Sequence, residues 1–163
     1  MILLDDLEPY FDALFEHELD KINSIYQIFL DDFLSNSFFI NNKKVIIKNH
    51  YSTLKGYEKY FETFVHIVTW KSSKAGKRVF DFRRANRVHW IRSILEQRND
   101  PRIKYFQYAE GDGALRDYYW FDEKDYIVIV EQITVEYLLV TGFVIDNRNR
   151  IQKRYEKYLD GLK

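Results

Sequence analysis

The run IKYFQYAEGDGALRDYYWFDEKDYIVIVEQITVEYLLVTGFVI, residues 103–145, is built from aromatic and β-branched residues cut by short polar breaks. Segments 103–108, 115–121, 126–133 and 136–145 carry the side chains that suit a half-buried pleated surface. Gly111-Asp112-Gly113, the acidic stretch 122–125 and Thr134-Val135 supply the turns between them. Together they predict a four-stranded antiparallel meander, and everything upstream must pack on it.

Upstream the period changes. Leu7, Tyr10/Phe11, Leu14/Phe15, Leu19, Ile22, Ile25/Tyr26, Phe29/Leu30 and Phe33 recur at helical spacing, so one long amphipathic helix or two abutting ones is expected, with Pro9 in a first turn and Ser35-Asn36-Ser37 as the end. Lys44-Val45-Ile46-Ile47-Lys48 reads as a short strand, and residues 57–70 fit helix or strand equally. Asp81 suits a helix cap, and Asn99-Asp100-Pro101 ends the arginine-rich helix that follows it. At 3.6 residues per turn Val88, Trp90, Ile91, Ile94 and Leu95 share one sector with Arg84 and Arg87, while His89 and Arg92 fall outside it, facing solvent. A basic helix over 147–160 closes the chain. Helices before a four-stranded, mostly antiparallel sheet and a C-terminal helix give one α+β domain over residues 1–163.

Of the 163 residues, 46% are hydrophobic, enough for a single core. There is no cysteine, which excludes disulfides, thiolate metal sites and a cysteine nucleophile. No signal peptide or long apolar span is present, so a soluble cytoplasmic protein with no membrane partner is expected. The formal net charge is zero, yet the charges are segregated. Residues 1–36 form an acidic arm, with Asp5, Asp6, Glu8, Asp12, Glu16, Glu18, Asp20, Asp31 and Asp32 against Lys21. Residues 71–104 are strongly basic, and Arg148, Arg150, Lys153, Arg154 and Lys157 form a second basic cluster. Screening over ~8–10 Å lets such local positive fields attract polyanions in a neutral protein.

His66, in an apolar run beside the basic loop, is the histidine placed for proton transfer; a buried neutral imidazole satisfied by a backbone carbonyl fits its position equally well. His17, His50 and His89 read as structural or solvated. Arg83, Arg84 and Arg87 could clamp a phosphate through planar, bidentate donors, or be tied up with Glu131, Glu110 or the acidic N-terminal segment. Thr141 precedes Gly142, so a ligand could approach its hydroxyl closely, although threonine is also an ordinary strand residue. Trp90, Trp120, Tyr118, Tyr119 and Phe121 could stack on bases or fill the core. Asp122, Glu123, Lys124 and Asp125 superficially match an acidic-x-Lys nuclease element but occupy a tight turn, so neither metal nor cofactor is expected. A metal-free set of His, Arg and Thr suits RNA, whose own 2′-hydroxyl can attack the adjacent phosphodiester.

His66-Ile67-Val68-Thr69, Asp81-Phe82-Arg83-Arg84-Ala85-Asn86-Arg87-Val88-His89-Trp90, Trp120, Tyr126-Ile127-Val128-Ile129-Val130-Glu131 and Tyr137-Leu138-Leu139-Val140-Thr141-Gly142-Phe143 occur in that order. In these residues the chain resembles the phage-type members of the barnase, EndoU, colicin E5/D and RelE-like (BECR) nuclease superfamily, over about residues 42–158. The resemblance implies a compact BECR-like α+β RNase core and metal-independent RNA cleavage. It places the family's histidine at His66, its arginines at Arg84 and Arg87 and its strand threonine at Thr141. The chain departs from the family pattern at Asn86, where an acidic residue is common, and at Gly142, where alanine follows the threonine. The expectation is a toxin- or prophage-type endoribonuclease acting on RNA, with transfer RNA a candidate substrate and an antitoxin or immunity protein a candidate partner. His66, Arg84, Arg87 and Thr141 would be catalytic, and Arg83, Trp90, Lys74 and Lys77 would guide substrate. The alternative is a non-catalytic adaptor that binds nucleic acid or protein on the same fold, and the acidic arm could cover the basic groove or pair with a second chain.

Overall fold

In a computed structural model describing residues 2–11, 19–72 and 76–163, the chain runs through helix α1 (Leu19–Leu30), strands β1 (Phe39–Ile40) and β2 (Lys43–Ile46), and helix α2 (Glu62–Val68). A hairpin of β3 (Thr69–Lys71) and β4 (Arg78–Phe80) leads to α3 (Phe82–Ala85) and α4 (Val88–Glu96). The meander follows as β5 (Ile103–Ala109), β6 (Leu115–Phe121), β7 (Tyr126–Ile133) and β8 (Glu136–Val144), and α5 (Arg148–Gly161) closes it.

The main sheet has six strands in the order β1-β2-β8-β7-β6-β5, not four. The meander is present as expected, and the extra pair comes from residues 39–46. Asn41 and Asn42 both adopt positive φ, at 49° and 66°, the backbone of the tight turn that joins β1 to β2. β2 then lies parallel to β8, with Val45 opposite Tyr137 and Ile46 opposite Leu138. Because β2 ends there, the second half of β8 has no strand beyond it among the described residues, and α2 packs against β8.

One face of the sheet presents Tyr119, Phe121, Tyr126, Val128, Val130 and Leu139 to α1, α2 and α4. The other presents Phe106, Tyr118, Trp120, Ile127 and Ile129 toward α5, which packs mainly over β5. The β7–β8 part of this second face is therefore a floor between two helical walls, α2 and α5. A bulge shapes it: Ile129 pairs with Thr141 but Val130 with Leu139, so Val140 is an extra residue that turns β8 locally. Gly142 is required on the opposite face, because a Cβ there would stand 2.7 Å from both Ile91 Cγ1 and the Tyr126 hydroxyl. Gly142→Ala is expected to destabilise the protein by ~1–3 kcal/mol through overpacking, read as a lower denaturation midpoint at unchanged slope.

The arginine-rich helix is two helices. Asp81 caps α3, accepting from the amides of Arg83 and Arg84, but the helix breaks at Asn86 and Arg87 before α4 begins. The cause is long-range: the Asn86 side chain accepts from Phe11 N at 2.7 Å and donates to Phe11 O at 2.8 Å, while its own carbonyl accepts from Tyr10 N. Residues 2–11 are an extended strap with one 3-10 turn, Leu4–Asp6, rather than part of a helix starting near Pro9. Leu4 and Leu7 are fully buried beneath it. The strap and α1 cover the side of α4 expected to face solvent. His89 Nε2 meets Glu8 O at 2.8 Å, and Arg92 donates to the carbonyl of Asp32 and pairs with Glu96 at 2.8 Å. From the acidic N-terminal segment, Ile22, Ile25, Phe29 and Phe33 also join the main core.

Candidate functional site

α2 carries Glu62 and His66 one turn apart on one side, while Phe64, Val65, Ile67 and Val68 are buried. That side lines a cavity of about 310 Å³, shared with Lys48, Arg116, Glu131 and Val140. Among the described residues, neither ring nitrogen of His66 has a hydrogen-bond partner; its backbone carbonyl instead accepts from Arg78 Nη2 at 3.0 Å. The Lys48 ammonium and the Glu62 carboxylate are likewise without hydrogen-bond or ion-pair partners. Burial, followed by the positive charges of Arg78, Lys48, Arg84 and Arg116, pushes the His66 imidazole down to about 4. It is neutral at neutral pH.

Arg84 reaches the groove from α3. Its Nη1 donates to Thr69 O at 3.1 Å, its Nε lies 3.8 Å from Asp81 and its guanidinium covers the Phe143 ring at 5.1 Å. It borders a second cavity of about 260 Å³, with Tyr118, Ile129, Phe143, Arg150 and Arg154. Opposite Ile129 on β8 stands Thr141, which lines neither cavity: it is 6% exposed and, among the described residues, its hydroxyl has no hydrogen-bond partner. A buried hydroxyl left unpaired is costly, which makes it a candidate donor to a ligand.

Polar pairs crossing the strands stiffen the floor. Arg116 pairs with Glu131 at 3.1 Å and lies 3.7 Å from Glu110. The Tyr118 hydroxyl donates to Glu110 at 2.5 Å and accepts from Arg154 Nη1 at 3.2 Å. Burial and the Glu110 contact both push the Tyr118 phenol above its ordinary range, so it stays protonated.

His66 lines the first cavity and Arg84 the second, while Thr141 stands on β8 between Val140 of the first and Phe143 of the second and lines neither. Arg87 stands apart: with the helix broken, its guanidinium lies on the Trp90 ring at 5.3 Å and donates to Arg83 O at 2.9 Å, and it lines neither cavity. Trp90 is 3% exposed and gives its indole N–H to Glu8 O at 2.9 Å, so no ring face is open to a base. Arg83 is half-exposed and paired with Asp146 at 3.1 Å on the rim of the second cavity. Lys77 is exposed on the β3–β4 hairpin, and Lys74 lies outside the described residues. Asp122 and Asp125 are engaged by Lys104 and Arg148, and Lys124 donates to Leu7 O, so the acidic turn is internally paired. Among the described residues, no group of three or more His, Asp or Glu is arranged to hold a metal ion, and no helix is long and apolar enough to cross a membrane.

Lys48, Glu62 and Arg116 escaped sequence reasoning, and Glu131 entered it only as an ion-pair partner for the arginines. The last two carried a signal, since each is a charge inside a strand run and the meander register sets them opposite one another. No protein-family model, curated protein or solved structure matches the chain.

Proposed function

We propose that the protein is a metal-independent endoribonuclease that cleaves by transesterification. Its support is one observation above others: a neutral, unpartnered imidazole feels a set of cations that includes Arg84, on a helix packed against the strand that carries an unpaired buried hydroxyl. His66 takes the proton of the 2′-hydroxyl, the O2′–P bond forms as the P–O5′ bond breaks, and the departing 5′-oxygen takes up a proton from solvent. Arg84 stabilises the charge that builds on the phosphoryl oxygens, and the Thr141 hydroxyl donates to one of them. The scissile phosphate lies on the Arg84 side of His66, away from the carboxylates of Glu62 and Asp112. A bound phosphodiester offsets the cations around His66 and raises its basicity toward what proton abstraction needs.

The pH profile tests this. Free-enzyme kcat/KM is expected to hold a plateau on descending to about pH 5 and to fall with an apparent pKa near 4 as His66 becomes protonated. An acid limb at the ordinary histidine value of ~6.5 would contradict the assignment. A strand carrying 2′-deoxyribose at the cleavage position should remain intact. Binding without turnover is the second reading, favoured by the internal engagement of Arg83 and Arg87, and it predicts RNA retention with no new ends.

A further inference from the structure

Arg84, whose charge acts on His66, also lines the second cavity. The second cavity has an apolar floor of Ile129, Phe143 and Ile151, with Arg84 on its β8 side and Arg150 and Arg154 on its α5 side. At about 260 Å³ it falls below the ~300–1,000 Å³ of sites for drug-sized ligands, leaving space for one heterocycle rather than a stacked pair.

Arg150 and Arg154 stand one turn apart on α5, so both side chains serve the same wall. Arg154 is pre-oriented: its guanidinium lies 3.8 Å over Tyr108 and donates to the Tyr118 hydroxyl. The Arg150 guanidinium has no partner among the described residues. Three guanidiniums therefore surround this cavity, and its one carboxylate, Asp146, is already paired with Arg83. The His66 cavity is more mixed: Glu131 is paired with Arg116, and Lys48 stands against the carboxylates of Glu62 and Asp112. A polyanion crossing the groove is steered toward α5.

Resting on the ribonuclease reading, the geometry points to a nucleotide subsite under α5: the base flanking the scissile bond turns out of a single strand into this cavity, stacks beside the Arg84 plane, and leaves its phosphate to Arg150 and Arg154. The substrate class is single-stranded RNA. A duplex keeps its bases paired and stacked and cannot place one there without unpairing it.

The test is fluorescence anisotropy with a labelled, uncleavable 2′-O-methyl single strand, and with the same sequence locked in a hairpin duplex. The single strand should bind at least about tenfold more tightly than the duplex. Arg150→Glu, and separately R150A/R154A, should weaken single-strand binding about tenfold or more. The double variant should also flatten the log K against log salt slope by ~1.4, at ~0.7 per lost phosphate contact on a single strand. Arg150 is exposed, so R150E keeps the test informative if removing Arg154 disturbs packing on Tyr108. Equal binding of duplex and single strand, or unaltered binding by both variants, overturns the subsite. If the variants weaken binding but wild type leaves an unmodified strand uncut, the ribonuclease reading fails and the subsite stands. Cutting that persists with full affinity in both variants has the opposite meaning, and no binding by wild type overturns both.

Discussion

Replacing His66 with alanine is expected to lower RNA cleavage by ~10²–10⁴-fold, the contribution of a positioned proton-transfer group, while the melting temperature at neutral pH changes little. The ring makes no hydrogen bond among the described residues, so its removal breaks none. A histidine serving the core through a carbonyl contact would behave oppositely, costing stability and leaving any activity of the residual fold intact. The pH dependence of stability supplies an independent check. His66 is held near 4 when folded and titrates near ~6.5 when unfolded, so between these values the unfolded chain binds more protons. The wild-type protein therefore loses stability from this group as pH falls through 6.5 toward 4, and His66→Ala should lose less over that window. Identical acid profiles for the two proteins would remove the imidazole from its assigned environment.

Deleting residues 1–11 is expected to abolish folding. Burial of Leu4 and Leu7 contributes ~1.5–3 kcal/mol each. Loss of the strap also removes the partners of the Trp90 indole N–H and of both ends of the Asn86 amide, at ~0.5–1.5 kcal/mol net for each hydrogen bond. Against a typical stability of ~5–15 kcal/mol, that sum decides the outcome. The truncated chain should be insoluble or lack a cooperative unfolding transition in circular dichroism. An N-terminal segment acting as an autoinhibitory cover predicts a folded truncation with tighter RNA binding, and that result would contradict the strap's structural role.

The meander, the Asp81 cap and the C-terminal helix were legible because their signals are local: a period of two between turn residues, a carboxylate before a helical run, and a basic helix after the last strand. The attachment of β1 and β2 was not. Ile46 pairs with Leu138, 92 positions away, and nothing in a four-residue strand announces a parallel partner at that distance. α2 stayed ambiguous because only His66 and Glu62 interrupt the burial of its seven residues, leaving little amphipathic period to read. The break at Asn86 has no glycine or proline to mark it; a pairing with Phe11 imposes it. Beyond that break, rotational phase carried from Asp81 no longer held, so Arg84 reaches the groove while Arg87 turns onto Trp90. His66 and Thr141 were legible only as candidates, each with an ordinary structural reading beside it, whereas Lys48 and Glu62 meet His66 only through the packing of α2 against the sheet edge.

The most direct measurement is to incubate the purified protein with total RNA in excess EDTA and to map the ends of the fragments. A transesterase built on His66, Arg84 and Thr141 leaves 2′,3′-cyclic phosphates and 5′-hydroxyls, and the H66A protein prepared in parallel leaves the RNA whole. Intact RNA with the wild-type protein, or cleavage that appears only on adding a divalent metal and yields 5′-phosphates, would contradict it.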